Sequence, residues 1–261
     1  MRRVLAMSLM AAGLLACAPE KAPVFSLTVG KLQLDYAALE AIVKPVDVDT
    51  DDPVYGRFKH YRAFPLLPVL ERAFGDKQSL EKRQLIVYAT DGYAVPVTGE
   101  ILTEDGAYLA FRDREQSGWE PIGPRKQDPG PLYLVWTGNA HRDTATYPWP
   151  YSVARIEVVE SLAVLYPRTT PKDDMAKRGH ELFLHKCVKC HAVNRQGGTV
   201  GPELNVPKNV TEYWTVDQIK AYVKNPATFR YGAMPANPDL SDGDLAALTY
   251  YLLAMKAQKQ E

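Results

Sequence analysis

Apolar positions in residues 24–165 come in short runs that read as strands: Val24–Val29, Leu85–Ala89, Tyr93–Val97, Tyr108–Phe111, Leu132–Trp136 and Val153–Val159. Two stretches with helical spacing, Tyr36–Val43 and Leu66–Phe74, interrupt them. Short runs punctuated by Gly and Pro predict a mixed α+β domain over 24–165. The pattern changes near residue 170. Tyr166-Pro167-Arg168-Thr169-Thr170-Pro171-Lys172-Asp173-Asp174 has two prolines and no apolar periodicity, which predicts a linker over 166–174. Beyond it the spacing is helical. Met175 to Cys187 reads as an amphipathic helix, with Leu182, Phe183 and Leu184 near its packing side. Thr215 to Gln218 forms a capping-box pattern before Ile219, Tyr222 and Val223, and Asn225-Pro226 ends that helix. Ser241 caps another, with acids in its first turn and Leu245, Leu248, Leu252 and Met255 at helical spacing. The expectation is two domains, the second, over 175–261, all-α.

The first residues form a separate unit. Met1-Arg2-Arg3 precedes an apolar stretch, Val4 to Leu15, and then Ala16-Cys17, the pattern of an export signal. Leu14-Leu15-Ala16-Cys17 resembles the bacterial lipoprotein box. That resemblance implies removal of residues 1–16, a lipid on the Cys17 thiol, and 17–23 as a short tether to the membrane. Ala18, where an inner-membrane retention signal has Asp, tilts the expectation towards the outer membrane.

Composition narrows the choices. The chain of 261 residues has 31 basic and 31 acidic side chains, which argues against nucleic acid as a partner. Residues 17–165 carry 16 basic against 21 acidic groups, and 166–261 carry 13 against 10, so neither part has a field strong enough to name a ligand. No apolar run reaches the roughly 20 residues of a membrane helix. The three cysteines, Cys17, Cys187 and Cys190, are too few for a disulfide framework.

Two of those cysteines lie in Cys187-Val188-Lys189-Cys190-His191, a C-x-x-C-H site for covalent c-type haem. On one turn, two thiols sit close enough to bond the two vinyl groups of a porphyrin, and His191 is held under the iron. A zinc site would need two more ligands, and no cysteine follows. A redox dithiol would sit in a βαβ setting, which is absent from this part of the chain.

Residues 174–258 resemble the small single-haem cytochromes c. The resemblance rests on the haem motif, on Gly179 and Phe183 in the helix before it, on Gly201-Pro202 after it, and on Tyr231-Gly232-Ala233-Met234-Pro235 between the last two helices. It implies that Gly179 and Phe183 meet the last helix at Tyr250 or Tyr251. It also implies that the Pro202 carbonyl orients His191, and that Met234, 43 residues after His191, is the second axial ligand. Met175 and Met255 read as surface or core, and His180 and His185 lie too near Cys187 to cross a porphyrin. Trp214, Tyr213, Tyr231 and Arg230 are candidates for the haem edge or propionates. His/Met ligation leaves no open iron position and suits one-electron transfer.

The N-terminal part resembles the molybdopterin-binding domain of the sulfite oxidase family. The resemblance rests on Phe64-Pro65-Leu66-Leu67, Thr90-Asp91-Gly92-Tyr93, Gly130-Pro131-Leu132-Tyr133-Leu134-Val135-Trp136, and Pro148-Trp149-Pro150-Tyr151-Ser152-Val153. Catalytic members of that family hold molybdenum through a cysteine thiolate. No cysteine lies between residues 18 and 186 here, which argues against molybdopterin as a cofactor. His60, Arg62, His141, Arg142 and Trp119, with the polar loop Arg112 to Pro131, are the remaining candidates for binding. There is no G-x-S-x-G, phosphate-binding glycine loop or H-E-x-x-H, so no catalytic residue is assigned.

The functional expectation is a lipid-anchored electron carrier on the periplasmic side of a bacterial envelope, with one covalent haem. Its N-terminal domain would dock a redox partner protein. The alternative is an oxidoreductase whose N-terminal domain binds a pterin or substrate and reduces its own haem. A third reading is a sensor, in which loss of the Met234 bond opens the iron to a small ligand.

Overall fold

The computed structural model describes residues 22–123, 126–229, 232 and 234–260. Residues 1–16, Cys17, Arg230 and Tyr231 lie outside the described residues.

The N-terminal part is a mixed α/β region built on two sheets. Its strands are β1 (Leu27–Val29), β2 (Leu32–Leu34), β3 (Val46–Asp52), β4 (Arg57–Pro65), β5 (Gln84–Ala89), β6 (Ala94–Thr98), β7 (Ala107–Asp113), β8 (Tyr133–Trp136) and β9 (Val153–Val159). One sheet has the order β2-β1-β9-β5-β6 and the other β3-β4-β7-β8. The pair β1 with β9 is parallel, and the other pairs are antiparallel. Helices α1 (Tyr36–Ile42), α2 (Leu66–Phe74), α3 (Lys77–Glu81) and α4 (Gly99–Leu102) lie between strands, and α5 (Leu162–Leu165) follows β9. Asp35, Asp76, Thr98 and Ser161 cap four of these helices with side-chain oxygens.

Both sheets contribute to one core. Leu27, Val29, Leu85, Val87 and Ile156 from the first sheet cluster with Tyr61, Phe64, Leu109, Phe111 and Tyr133 from the second, and with Leu39, Leu66 and Leu70 from the helices. Strand alternation sends Ile86 to the opposite face of β5. There Ile86 and Ala94 join a second cluster with Leu162, Tyr166, Phe183, Leu184, Val188, Leu248, Tyr251 and Leu252. The first sheet therefore has apolar partners on both faces, and its outer face packs on the C-terminal part.

The C-terminal part contains α6 (Lys177–Leu182), α7 (Val216–Lys224) and α8 (Asp242–Lys256), with a small hairpin of β10 (Ala192–Val193) and β11 (Gln196–Gly197). The expected capping box of Thr215 with Gln218 is present, and the expected cap at Ser241 forms a capping box with Asp244. Helix α6 crosses α8 where Gly179 lies. A methyl group there would stand 2.1 Å from the Ala247 carbonyl oxygen and 2.6 Å from Tyr251 Cβ. Phe183 packs its ring against Tyr251 at 5.6 Å. Of the two expected tyrosines it is therefore Tyr251 that meets the first helix. Tyr250 is exposed and donates to Asp173 at 2.6 Å.

The structure departs from the sequence expectations at several points. The charged hairpin of β3 and β4, and the short β2, were not predicted as strands. The first strand begins at Leu27, not Val24. Met175 to Cys187 is helical throughout, as expected, but its hydrogen bonding changes along the way, from a 3₁₀ turn at Asp174–Ala176 through α6 to a π-helical turn at Phe183–Cys187. The segment 166–174 is packed, with Tyr166 and Thr169 buried and Thr169 Oγ donating to the Tyr166 carbonyl at 2.7 Å.

Candidate haem-attachment site

The π-helical turn sets up the site. Val188 N–H reaches back to the Phe183 carbonyl at 2.8 Å, and then Cys190 and His191 both donate to the Cys187 carbonyl, at 3.1 and 2.9 Å. This tight turn brings Cys187, Cys190 and His191 together. The two thiols are unpaired and half-buried. Burial pushes the Cys187 thiol up to about 12 and raises that of Cys190, so both are uncharged at neutral pH.

The loop that follows folds back over the turn. Gly198 N–H donates to Val188 O at 2.7 Å, Gly201 N–H to Cys190 O at 2.8 Å, and Leu204 N–H to Ala192 O at 2.9 Å. His191 Nδ1 donates to the Pro202 carbonyl oxygen at 2.8 Å. That bond fixes the tautomer and leaves Nε2 as the free lone pair. Burial lowers the His191 pKa, opposed by the bond to Pro202, so the ring is neutral near pH 7. Gly201 lies flat against the imidazole: a Cβ there would be 2.4 Å from His191 Cε1. A neutral histidine with one ring nitrogen anchored, beside two unpaired thiols, is a donor set that fits covalent haem.

Glu203 holds this loop in place. Its Oε1 accepts from the backbone N–H groups of Asn194 (3.0 Å), Asn205 (2.8 Å) and Val206 (3.1 Å), and its Oε2 accepts from Arg195 (2.8 Å). A chain of buried asparagines continues the anchor. Asn209 Nδ2 donates to Asn205 Oδ1, and Asn205 Nδ2 to Asn194 Oδ1, both at 2.7 Å. Their other amide hydrogens go to the Leu252 and Met255 carbonyls of α8 and the Gln258 carbonyl just after it, each at 2.9 Å, and to the Arg168 carbonyl at 2.8 Å. These bonds tie the loop to the last turn of α8 and the residues just beyond it. Sequence reading missed both Glu203 and the asparagines. A carboxylate directly after Gly-Pro was the available signal for the first; scattered asparagines give none.

Met234 is half-buried in the loop between α7 and α8. That loop is tied at its far end by Asn237 N–H to Lys224 O at 3.2 Å and by Lys224 Nζ to Leu240 O at 2.6 Å. Lys186, next to Cys187, pairs with Asp239 at 2.7 Å, so the same loop returns to the haem-motif turn. Trp214, Tyr222 and Phe229 form an aromatic group at the end of α7, with ring centroids 4.9 to 5.9 Å apart. Tyr213 is exposed. His180 is buried and hydrogen-bonds Thr169 at 2.9 Å, while His185 is exposed. Met175 is exposed and Met255 buried.

The N-terminal candidates are paired locally. His60 bonds Asp49 at 2.7 Å and Arg62 bonds Asp47 at 2.9 Å, across the β3–β4 register. His141 bonds Glu104 at 3.1 Å and Arg142 bonds Asp51 at 2.9 Å. Trp119 packs against Tyr61 and Tyr133. Asp113, Glu115 and Glu120 converge closely enough to hold a cation, and Lys59 Nζ fills that place at 2.7, 2.7 and 2.9 Å.

Residues 174–252 match the family described as cytochrome C oxidase, cbb3-type, subunit III. The chain is 29% identical over 99 residues to cytochrome c oxidase subunit 2 of Alkalihalophilus pseudofirmus, covering 34% of this chain and 28% of that protein. It is 31% identical over 106 residues to cytochrome c oxidase subunit 2 of Bacillus subtilis, covering 36% of this chain and 30% of that protein. The chain thus spans less than a third of the length of either relative. The C-terminal part of the chain is a c-type cytochrome domain, which implies haem c and electron transfer, and it follows an N-terminal mixed α/β region with two sheets.

Proposed function

We propose that the protein is a periplasm-facing, lipid-anchored electron carrier with a single haem. Cys187 and Cys190 would hold the porphyrin covalently through their thiols. His191 and Met234 are the axial ligands, and Pro202 orients His191 through its carbonyl. The bound haem supplies a one-electron couple. The protein holds the ring of His191 still, through Pro202 and Glu203, so that little rearranges when the electron moves. The observation that carries this reading is the 2.8 Å bond from His191 Nδ1 to Pro202 O within a turn that also presents two unpaired thiols.

The lipid on Cys17 is the proposed membrane link, with the outer membrane favoured by Ala18. Among the described residues no helix is long and apolar enough to cross a membrane. The N-terminal region docks a redox partner protein; the lack of a thiol between residues 18 and 186 supports docking over molybdenum chemistry. Replacing Met234 by Ala tests the ligation. The variant loses the low-spin spectrum and its midpoint potential drops. An unchanged spectrum would assign the sixth position to another residue.

A further inference from the structure

The β5–β6 hairpin of the N-terminal region is bound directly to the haem-attachment segment. Gly92 O accepts from Thr199 N–H at 3.0 Å, and Ala94 N–H donates to Lys189 O at 3.1 Å. These two bonds flank Tyr93 and tie the hairpin tip to Lys189, the residue before Cys190, and to Thr199 in the loop after the motif. Tyr93 is itself pinned: its N–H donates to Asp91 Oδ1 at 2.9 Å, and its carbonyl accepts from Ala89 N–H at 2.8 Å. Its side chain is half-buried against the N-terminal core, and burial, followed by the charge of Cys190, pushes the pKa of its hydroxyl up. Ala94 beside it is buried in the cluster that contains Val188, inside the haem motif. Gly92 allows the approach. With φ at +91° and a Cβ position 1.9 Å from Thr199 Oγ1, the site admits no side chain.

A hairpin tip bonded to the residue before Cys190 and to the loop after the motif packs against that side of the haem-motif turn. We propose that residues 91–94 form a built-in cover over the Cys190 side of the haem site. Tyr93 is its positioning residue, excluding water and thereby setting the reduction potential. This inference rests on the reading that Cys187, Cys190 and His191 hold haem. Oxidised haem carries one more positive charge than reduced haem, so water admitted at its edge favours the oxidised form and lowers the potential. The N-terminal region then has a task inside the molecule besides docking, and exchange partners reach the haem from a side other than that of Cys190.

The test uses the full-length, haem-loaded protein, titrated as wild type, Tyr93→Phe and Tyr93→Ala, with haem content measured in each. The cover is the ring and not the hydroxyl, so Tyr93→Phe keeps the wild-type potential and Tyr93→Ala lowers it at equal haem content. Amide exchange in the wild type is read at Thr199 and Ala94, whose N–H groups should be as protected as those within β5. Should Tyr93→Ala not fold, the exchange result decides alone. Haem-loaded Tyr93→Ala at the wild-type potential, or Thr199 and Ala94 amides exchanging like an open loop, would overturn this inference and leave haem attachment standing. A wild-type chain without covalent haem would overturn the parent reading and this one together.

Discussion

His191 and Pro202 are joined by a 2.8 Å hydrogen bond from the imidazole Nδ1 to the proline carbonyl, and Gly201 between them in the loop lies against the ring face. The glycine is required by the closeness of that packing. Replacing Gly201 by Ala puts a methyl group 2.4 Å from Cε1, so either ring or loop must shift. The expected result is a stability loss of about 1–3 kcal/mol and an altered haem absorption spectrum. A normal spectrum with normal stability would show that the ring is not held by this contact.

Glu203 acts one step further out. Its carboxylate gathers four backbone N–H groups around the residue that follows Pro202. Glu203→Gln turns one acceptor into a donor facing an N–H. The predicted cost is about 1–3 kcal/mol in denaturant unfolding, with a shift in midpoint potential because the Pro202 carbonyl moves relative to His191. A loss of stability with an unshifted potential would limit Glu203 to a structural role.

His180 predicts a pH dependence. Burial pulls its imidazole down to about 4, against about 6.5 in an unfolded chain. Between those values the unfolded state binds the extra proton, so stability rises with pH. The contribution is full above pH 6.5 and is lost as pH falls towards 4, amounting to up to about 3 kcal/mol. Thr169 Oγ donates to the Tyr166 carbonyl and accepts from His180 Nε2, a bond that either protonation state can make, so it is burial of the ring that disfavours the charged form. His180→Gln should flatten the unfolding free energy between pH 4 and 6.5. An unchanged slope would assign it to other groups.

Lys59 and Asp113 are both fully buried and paired at 2.7 Å. Burial draws the Lys59 pKa down, but the hydrogen bonds to Asp113, Glu115 and Glu120 outweigh it and the net shift is upward. Lys59→Met leaves the Asp113 carboxylate buried without its cation, a loss of about 3–5 kcal/mol. The double variant Lys59→Met with Asp113→Leu should recover much of that loss, as measured by denaturant midpoints. If the single variant is as stable as wild type, the pair carries no such weight.

Much of the C-terminal part was legible because its signals are local. The capping box at Thr215, the cap at Ser241, helical apolar spacing, and C-x-x-C-H each sit within a few residues. The strands β5, β6, β8 and β9 were legible as apolar runs between turns. The hairpin of β3 and β4 was not, because its inward positions include Thr50, Asp52 and Lys59 alongside Val48 and Tyr61. Charged side chains satisfied only in three dimensions break the apolar alternation on which a strand is recognised. The same holds at the haem site. Cys187 and His191 are recognised from their spacing, whereas Glu203, the asparagine chain and the Gly92–Thr199 contact depend on partners far apart in sequence. The Met175–Cys187 stretch was legible as a helix, but its change from α to π bonding was not, because apolar spacing does not separate the two over so few residues.

The most direct measurement is covalent haem per chain. The full-length protein is made in a host that matures c-type cytochromes, extracted with acidified acetone, and quantified as the pyridine haemochrome. One haem per chain that stays with the protein, and is lost when Cys187 and Cys190 are both replaced by Ser, is the predicted result. Haem that extracts freely, or a wild-type chain that retains none, would contradict the proposed attachment.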